Sequence, residues 1–275
     1  GVRRDLAAGS FEVDYDIPLV MSDVRLDDGV IAHQDFHGGC GERRPDWWGT
    51  SFFKHYADSG FVGDIFLVNG RAYPKLVVEP RKYRFRLLCA SVSRIYSLTL
   101  MRGNVRAFPG QQGQYNFVNA AGTARGVGTR VMDFTVVATD GGLLPSPVQS
   151  QNFELWPGKR REVVIDFSRY ANGQPTQPGD EIYLANIAEM LDGRKPNANP
   201  NYCVPLMKFV IGAARSVDNS VVPAVLRPMP PLPPAAHLAT LPVRRFNVEK
   251  NTLNAENIWM INGRPFNPDV PIASV

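Results

Sequence analysis

From Lys82 to Leu87 charged and apolar residues alternate without a break: Lys82-Tyr83-Arg84-Phe85-Arg86-Leu87. A period of two with one apolar side marks a β-strand that covers a core with one face and meets water with the other. Tyr83, Phe85 and Leu87 form the core side; Lys82, Arg84 and Arg86 form the solvent side. A helical period would scatter the same residues around a cylinder. Alternating or short β-branched apolar runs return at residues 15–21, 65–68, 76–79, 96–100, 134–138, 161–167, 181–185 and 206–211. Gly, Pro, Asn and Asp fill the gaps. Asn69-Gly70, directly after Ile65-Phe66-Leu67-Val68, is the dipeptide that favours a tight hairpin. No amphipathic helical pattern lasts beyond about three turns. The chain therefore reads as all-β, a sandwich or barrel of many short strands.

The rest of the composition narrows the class. The chain has 275 residues, 44% hydrophobic and 20% charged, which suits one large or two ordinary folded domains rather than a disordered chain. Lys and Arg number 30 against 26 acidic residues, a mild and dispersed excess of +4. The tightest basic cluster, Lys159-Arg160-Arg161, reads as a solvated strand edge, so no nucleic-acid partner is expected. No apolar run reaches the roughly 18 residues of a bilayer-spanning helix, so no membrane partner is expected either. Three cysteines, Cys40, Cys89 and Cys203, exclude a disulfide scaffold but leave one bridge open. Cys89 lies in an apolar strand and reads as simply buried. The compartment is left open.

Residues 27–60 and 102–130 read as long surface loops between strands. Between 215 and 243 the composition shifts: Pro223, Pro228, Pro230, Pro231, Pro233, Pro234 and Pro242 make a stiff, extended crossing where a domain boundary belongs. Strands return at 244–248 and 257–263, in a remainder of about 30 residues that is too short for its own core.

Within the first loop, His33, His37 and Cys40 stand close together, with Asp35 between the histidines. Imidazole and thiolate are suitable zinc or copper ligands. A copper electron-transfer site, however, draws two His, a Cys and a weak axial Met from distant strands, whereas this group is local and followed by Gly38-Gly39. An ordinary surface loop is the preferred reading, and no metal is expected here. Asp166 reads as a turn cap after its strand. Glu79, Arg81, Arg84 and Arg86 read as a structural ion-pair network. Trp47-Trp48, flanked by Arg43, Arg44 and Asp46, reads either as an aromatic binding patch or as a loop anchored by buried indoles.

Several segments together resemble one family. "FVGDIFLVNGRAYPKLVVEPRKYRFRLLCASVSRIYSLTL" (61–100) resembles the middle cupredoxin domain of three-domain multicopper oxidases, in the group of bilirubin oxidases, spore-coat laccases and phenoxazinone synthases. "YDIPLVMSD" (15–23), "VVATDGGLL" (136–144), "LWPGKRREVVIDFSRY" (155–170), "SVVPAVLR" (220–227) and "NIWMINGRPF" (257–266) resemble further segments of the same family, in the same order. The resemblance covers nearly everything after about residue 12. It implies the tail of a preceding domain at 1–12, a middle cupredoxin-like Greek-key sandwich at 13–214, a Pro-rich linker at 215–243 and the first strands of a third cupredoxin domain at 244–275.

What the resemblance implies about function is bounded by what the chain lacks. The family holds four coppers on His-x-His, His-x-x-His-x-His and His-Cys-His motifs of its outer domains. This chain has four histidines, His33, His37, His55 and His237, and no His-x-His. It is therefore expected to be a copper-free middle part that binds none of the four ions itself. Its implied partners are the first and third cupredoxin domains, or chains carrying them. The whole enzyme would oxidise phenolic, tetrapyrrole or metal-ion substrates one electron at a time and reduce dioxygen to water. Phe61, Val62, Glu189 and Met190 match places where the family forms the rim above its substrate-oxidising copper. An extracytoplasmic or spore-coat location fits the resemblance. The alternatives are a non-catalytic cupredoxin-like structural or binding module, and one chain of a split oxidase.

Overall fold

A computed structural model of the chain describes residues 2–4, 11–13, 15–26, 60–107, 114–122, 126, 128–215, 217–253, 256–267 and 269–270. His33, His37, Cys40, His55 and the Trp47-Trp48 pair lie outside these residues. The chain divides into two compact units, residues 1–228 and 229–275.

In the first unit, β1 (Val2–Arg4) and β2 (Phe11–Val13) form a small antiparallel pair. The body of the unit is two sheets. One contains β3 (Asp16–Val24), β4 (Ile65–Val68), β5 (Arg71–Ala72), β7 (Lys82–Cys89), β12 (Phe134–Thr139), β13 (Gly142–Ser150) and β15 (Arg160–Asp166), in the order β13-β12-β15-β7-β3-β4-β5. The other contains β6 (Lys75–Val78), β8 (Tyr96–Arg102), β11 (Thr129–Met132), β14 (Asn152–Leu155), β16 (Glu181–Asn186) and β17 (Val204–Ile211). There β11 and β14 both pair with β8, and the order continues through β16 and β17 to β6. Two pairings are parallel, β3 with β7 and β17 with β6; the other pairings in the two sheets are antiparallel.

The alternation from Lys82 to Leu87 sets the inner face. Tyr83, Phe85, Leu87 and Cys89 are buried, while Arg86 between them is exposed. Phe85 from one sheet and Phe209 from the other have ring centroids 5.4 Å apart, and Phe167, just after β15, packs 4.9 Å from Phe209. On the outer face Asp16 and Glu162 flank the β7 arginines. Arg86 reaches Asp16 at 2.8 Å, Arg84 reaches Asp16 at 3.5 Å, and Arg84 also pairs with Glu162. These pairs are largely solvated and fix strand register more than they add stability.

Two expectations need correction. The stretch 102–130 is not all loop: β9 (Asn104–Ala107) and β10 (Tyr115–Val118) form a hairpin, and β11 joins the main sheet. Asn116, Phe117 and Val118 of β10 are buried in succession, so this hairpin is anchored without the alternation that marks a half-buried strand. The second is β13, which carries Pro145 and Pro147 and was not anticipated as a strand. It lies at the sheet edge, and its pairing with β12 shifts register between Val136 and Ala138. Edge positions and bulges are where a strand tolerates residues without an N–H.

Asn69 and Gly70 both adopt positive φ, 51° and 74°, as the predicted tight turn requires. The Asn69 side chain also clasps the neighbouring strand. Its Oδ1 accepts from the Val20 amide at 2.8 Å, and its Nδ2 donates to the Pro18 carbonyl at 2.9 Å. The Asn69 amide donates to the Val20 carbonyl at 2.8 Å.

The second unit has one helical turn, α1 (Ala235–Leu238), and a meander of β18 (Val248–Leu253), β19 (Glu256–Ile261) and β20 (Arg264–Pro265). Its Asn262-Gly263 turn repeats the first clasp bond for bond. Both residues have positive φ, 53° and 73°. Asn262 Oδ1 accepts from the Asn247 amide at 2.8 Å, and Nδ2 donates to the Arg245 carbonyl at 3.0 Å. The Asn262 amide donates to the Asn247 carbonyl at 2.8 Å. Val248, Trp259 and Phe266 are exposed, while Met260 is buried.

The start of the Pro-rich stretch is fastened to the first unit. The Arg215 amide donates to Glu79 Oε2 at 3.0 Å, and the Leu226 amide donates to the Pro145 carbonyl at 2.9 Å. Asp218 accepts from the Lys82 amide at 3.0 Å and lies 3.4 Å from Lys82 Nζ and 3.5 Å from Arg81. Burial alone would raise the pKa of Asp218. Hydrogen bonds from the Ser220 hydroxyl and from the Lys82 and Ser220 amides, with the Lys82 charge, instead hold it well below the usual carboxylate range. A carboxyl depressed in the folded state stabilises at pH values above its ordinary 3.8, and that stability is lost as pH falls below 3.8 toward the folded value. Asp218→Asn is therefore expected to cost about 2 kcal/mol near pH 7, with the difference from the parent shrinking below about pH 4. Urea unfolding at both pH values checks this.

Candidate functional site

Leu19, Met21 and Asp23 share one face of β3 and all three are buried. A carboxylate at a core-facing position needs a counter-charge, since burying it alone is prohibitive. Arg94, in the connection between β7 and β8, supplies it: Nε donates to Asp23 Oδ2 at 2.7 Å. Asp23 Oδ2 also accepts the Gly63 amide at 2.6 Å, and Arg94 Nη2 donates to the Gly63 carbonyl at 2.5 Å. The guanidinium sits 4.9 Å over the Phe66 ring. Burial would lower the pKa of Arg94, but the Asp23 charge and hydrogen bond, with the Tyr202 and Tyr96 hydroxyls, together outweigh it and raise the value. Gly63 fits this corner because it has no Cβ; one would stand 2.6 Å from the Val24 backbone.

Beside this pair lies a cavity of about 240 Å³, walled by Gly63, Asp64, Phe66, Tyr73, Arg94, Gln114, Tyr115, Asn116, Glu189, Met190, Leu191, Tyr202 and Val204. Its wall is built from segments entering or leaving six strands. Met190 is buried, with its sulfur accepting the Ile95 amide at 3.0 Å. Glu189 accepts from Asn199 Nδ2 at 3.0 Å. Asp64 lies 3.6 Å from Arg25, and burial pushes its pKa up. Tyr73 and Tyr115 meet edge to face at 4.9 Å and also wall a neighbouring cavity of about 280 Å³ with Tyr183, Met207 and Lys208.

The residues expected at a substrate rim fall in two groups. Glu189 and Met190 line the cavity. Phe61 and Val62 immediately precede its Gly63-Asp64 wall, with Phe61 buried and Val62 half-buried. The sequence reading passed over Asp23, Arg94, Tyr73 and Asn116. One signal was available for Asp23: it continues the core-facing parity of Leu19 and Met21. Arg94, 71 residues away, has no comparable local mark.

The other sequence candidates are structural. Asp166 caps its turn, accepting from the Ser168 amide at 2.9 Å and the Ser168 hydroxyl at 2.6 Å. Arg81 joins Asp218, and Arg84 and Arg86 join Asp16. Glu79 accepts from the Tyr15 hydroxyl at 3.0 Å. Lys159 and Arg160 are exposed and paired with Asp140, at 3.1 and 3.2 Å. Cys89 and Cys203 are free, buried thiols. Among the described residues no three His, Cys, Asp or Glu side chains gather where they could hold a metal. No helix among them is long and apolar enough to cross a membrane.

Comparison with known proteins puts this architecture in context. No protein-family model matches the chain. A laccase from Bacillus subtilis is 31% identical over 219 residues, which is 79% of this chain and 34% of the laccase. The cell division protein FtsP of Edwardsiella tarda is 32% identical over 219 residues, covering 74% of this chain and 34% of that protein. In three dimensions the McoA multicopper oxidase of Aquifex aeolicus matches with a TM-score of 0.60 and 25% identity, over 91% of this chain and 41% of that one. The chain thus spans about a third of the length of the curated relatives it matches. Its strand-rich, two-sheet unit is cupredoxin-like. Sequence and fold together make the chain a member of the multicopper oxidase family.

Proposed function

We propose that this chain is the copper-free middle part of a multicopper oxidase, a sandwich that spaces two copper-bearing domains and lends Phe61, Val62, Glu189 and Met190 to the rim of the substrate site. The observation that carries this reading is the repeated asparagine clasp. Asn69 and Asn262 make the same three hydrogen bonds to the segment beside them, Pro18 and Val20 in one case and Arg245 and Asn247 in the other, so the second unit's turn is built as the first one's is. One closed sandwich followed by the opening of an equivalent one supports an array of cupredoxin domains, with 1–12 ending the domain before. The exposed Val248, Trp259 and Phe266 fit a hairpin whose sheet continues elsewhere.

Copper chemistry is not assigned to the described residues, because their donor set does not fit a copper site. Four coppers would be held by residues of the outer domains. In the whole protein they would accept single electrons from phenolic, tetrapyrrole or metal-ion substrates and pass them to dioxygen. The residues of this chain contribute positioning: Arg94 and Asp23 fix the Gly63 peptide, and that peptide orients the rim segment.

The test is intact mass, copper content and oxygen uptake of the whole protein as purified. A mass roughly two to three times the chain's 30.5 kDa is expected, with bound copper and oxygen consumption on a phenolic substrate. A copper-free protein that consumes no oxygen would instead support a non-catalytic cupredoxin-like module, the second reading, which the similarity to a cell division protein favours. Copper ligands found on separate chains would make it one part of a split oxidase.

A further inference from the structure

We infer that the cavity beside the Asp23–Arg94 pair is a binding pocket for a small aromatic carboxylate. Three side chains of its wall carry donor hydrogens with no acceptor: Arg94 Nη1, Asn116 Nδ2 and the Tyr73 hydroxyl, whose oxygen the Phe66 and Tyr115 backbones already approach; Asp23 Oδ1 on the adjoining ion pair also lacks a partner but does not line the cavity. Arg94 and Asn116 are only 3% and 4% exposed. Nitrogen atoms of this kind are donors, and the Tyr73 hydroxyl has a proton to give, so the missing species is an acceptor. Leaving such groups unsatisfied costs more than a hydrogen bond returns, and structures rarely tolerate three in one place.

The charge around the cavity narrows the acceptor. Asp23 faces Arg94 through Nε, which leaves Nη1 of the same cation free for a second oxygen. Of the two carboxylates in the wall, Asp64 lies against Arg25 and also feels the Arg94 charge, and Glu189 is held by Asn199. Neither is bonded to the three free donors. A carboxylate, with two oxygens and several lone pairs, can take a guanidinium N–H, an amide N–H and a hydroxyl together. Apart from Gln114, the remaining wall is largely apolar or aromatic, with Phe66, Tyr115, Met190, Leu191 and Val204. A cavity of about 240 Å³ has room for one aromatic ring, since a dry apolar cavity of roughly 150 Å³ already holds benzene.

The binding itself stands on this chain. Its use as a substrate pocket rests on the rim reading above, and would bias the oxidase toward acidic phenols. The test uses the whole protein as purified, with sodium benzoate as probe and benzyl alcohol as the uncharged control, measured by ligand-observed NMR and calorimetry. Benzoate is expected to bind at least about tenfold more tightly than benzyl alcohol. Tyr73→Phe keeps the ring and removes only the hydroxyl; Asn116→Asp replaces a donor by a charge of the wrong sign. Each is expected to weaken benzoate about tenfold and benzyl alcohol, which offers one neutral acceptor, clearly less. If Asn116→Asp does not fold, Tyr73→Phe alone carries the test. Equal binding of the two probes, no binding of either, or benzoate binding untouched by Tyr73→Phe overturns the inference, and ordered waters then satisfy the donors. Benzoate binding to a protein without copper would keep the pocket and reject the oxidase reading. An active oxidase that ignores benzoate would do the reverse.

Discussion

Arg94→Ala is expected to destabilise the first unit by about 3–5 kcal/mol, because it leaves the Asp23 carboxylate buried without its counter-charge. Asp23 would keep only the Gly63 amide at 2.6 Å, while the Gly63 carbonyl would lose Arg94 Nη2. The cost is that of an orphaned charge rather than of a lost attraction. That distinction is testable by combining Arg94→Met with Asp23→Leu, which removes both charges. The pair should cost much less than the sum of the two single changes, as seen where buried ion pairs give way to apolar groups. Urea unfolding of the four proteins measures it. A single Arg94 variant within about 1 kcal/mol of the parent would show that the pair is hydrated and that the rim segment is held by something else.

The second large effect is expected at Phe167. Its ring packs 5.7 Å from Tyr83, 6.2 Å from Phe85 and 4.9 Å from Phe209, so it joins the aromatic residues of both sheets. Phe167→Ala should cost about 3–5 kcal/mol through lost burial and the cavity left behind. For a unit of this size that corresponds to a fall in Tm of roughly 10 °C, read by thermal unfolding. Phe167→Leu, which refills most of the volume, should recover much of the loss. Equal losses in the two variants would point to a specific aromatic contact instead of volume.

The two cases differ in what the chain announces. Phe167 lies in the run 161–167 whose apolar pattern already read as a strand, and its burial followed from that pattern. The buried faces of β7, β8 and β15 were readable for the same reason. So was the Asn69-Gly70 turn, since positive φ at two successive residues selects those residue types. Elsewhere the local signal was diluted. β10 buries Asn116, Phe117 and Val118 in succession, a short run with no alternation to mark it. β13 carries two prolines that argue against a strand until the edge position and the register shift are known. Residues 27–59, with the His33, His37 and Cys40 group, lie outside the described structure.

Two residues of the cavity wall, Glu189 and Met190, are those that family resemblance names for a substrate rim, a role that belongs to the proposal above. Asp23 carried a local mark in its parity with Leu19 and Met21, but its partner did not: Arg94 is 71 residues away. The Lys82–Asp218 pair outside the cavity is likewise 136 residues apart. By itself, the sequence determined that the chain is all-β, which residues face the core and where the tight turns fall, because alternation and turn preference are properties of neighbours in the chain. Only the tertiary structure decided which buried charges are paired and which donors are left facing a cavity. Satisfying a buried polar group depends on what the fold brings beside it, and the distance along the chain carries no record of that.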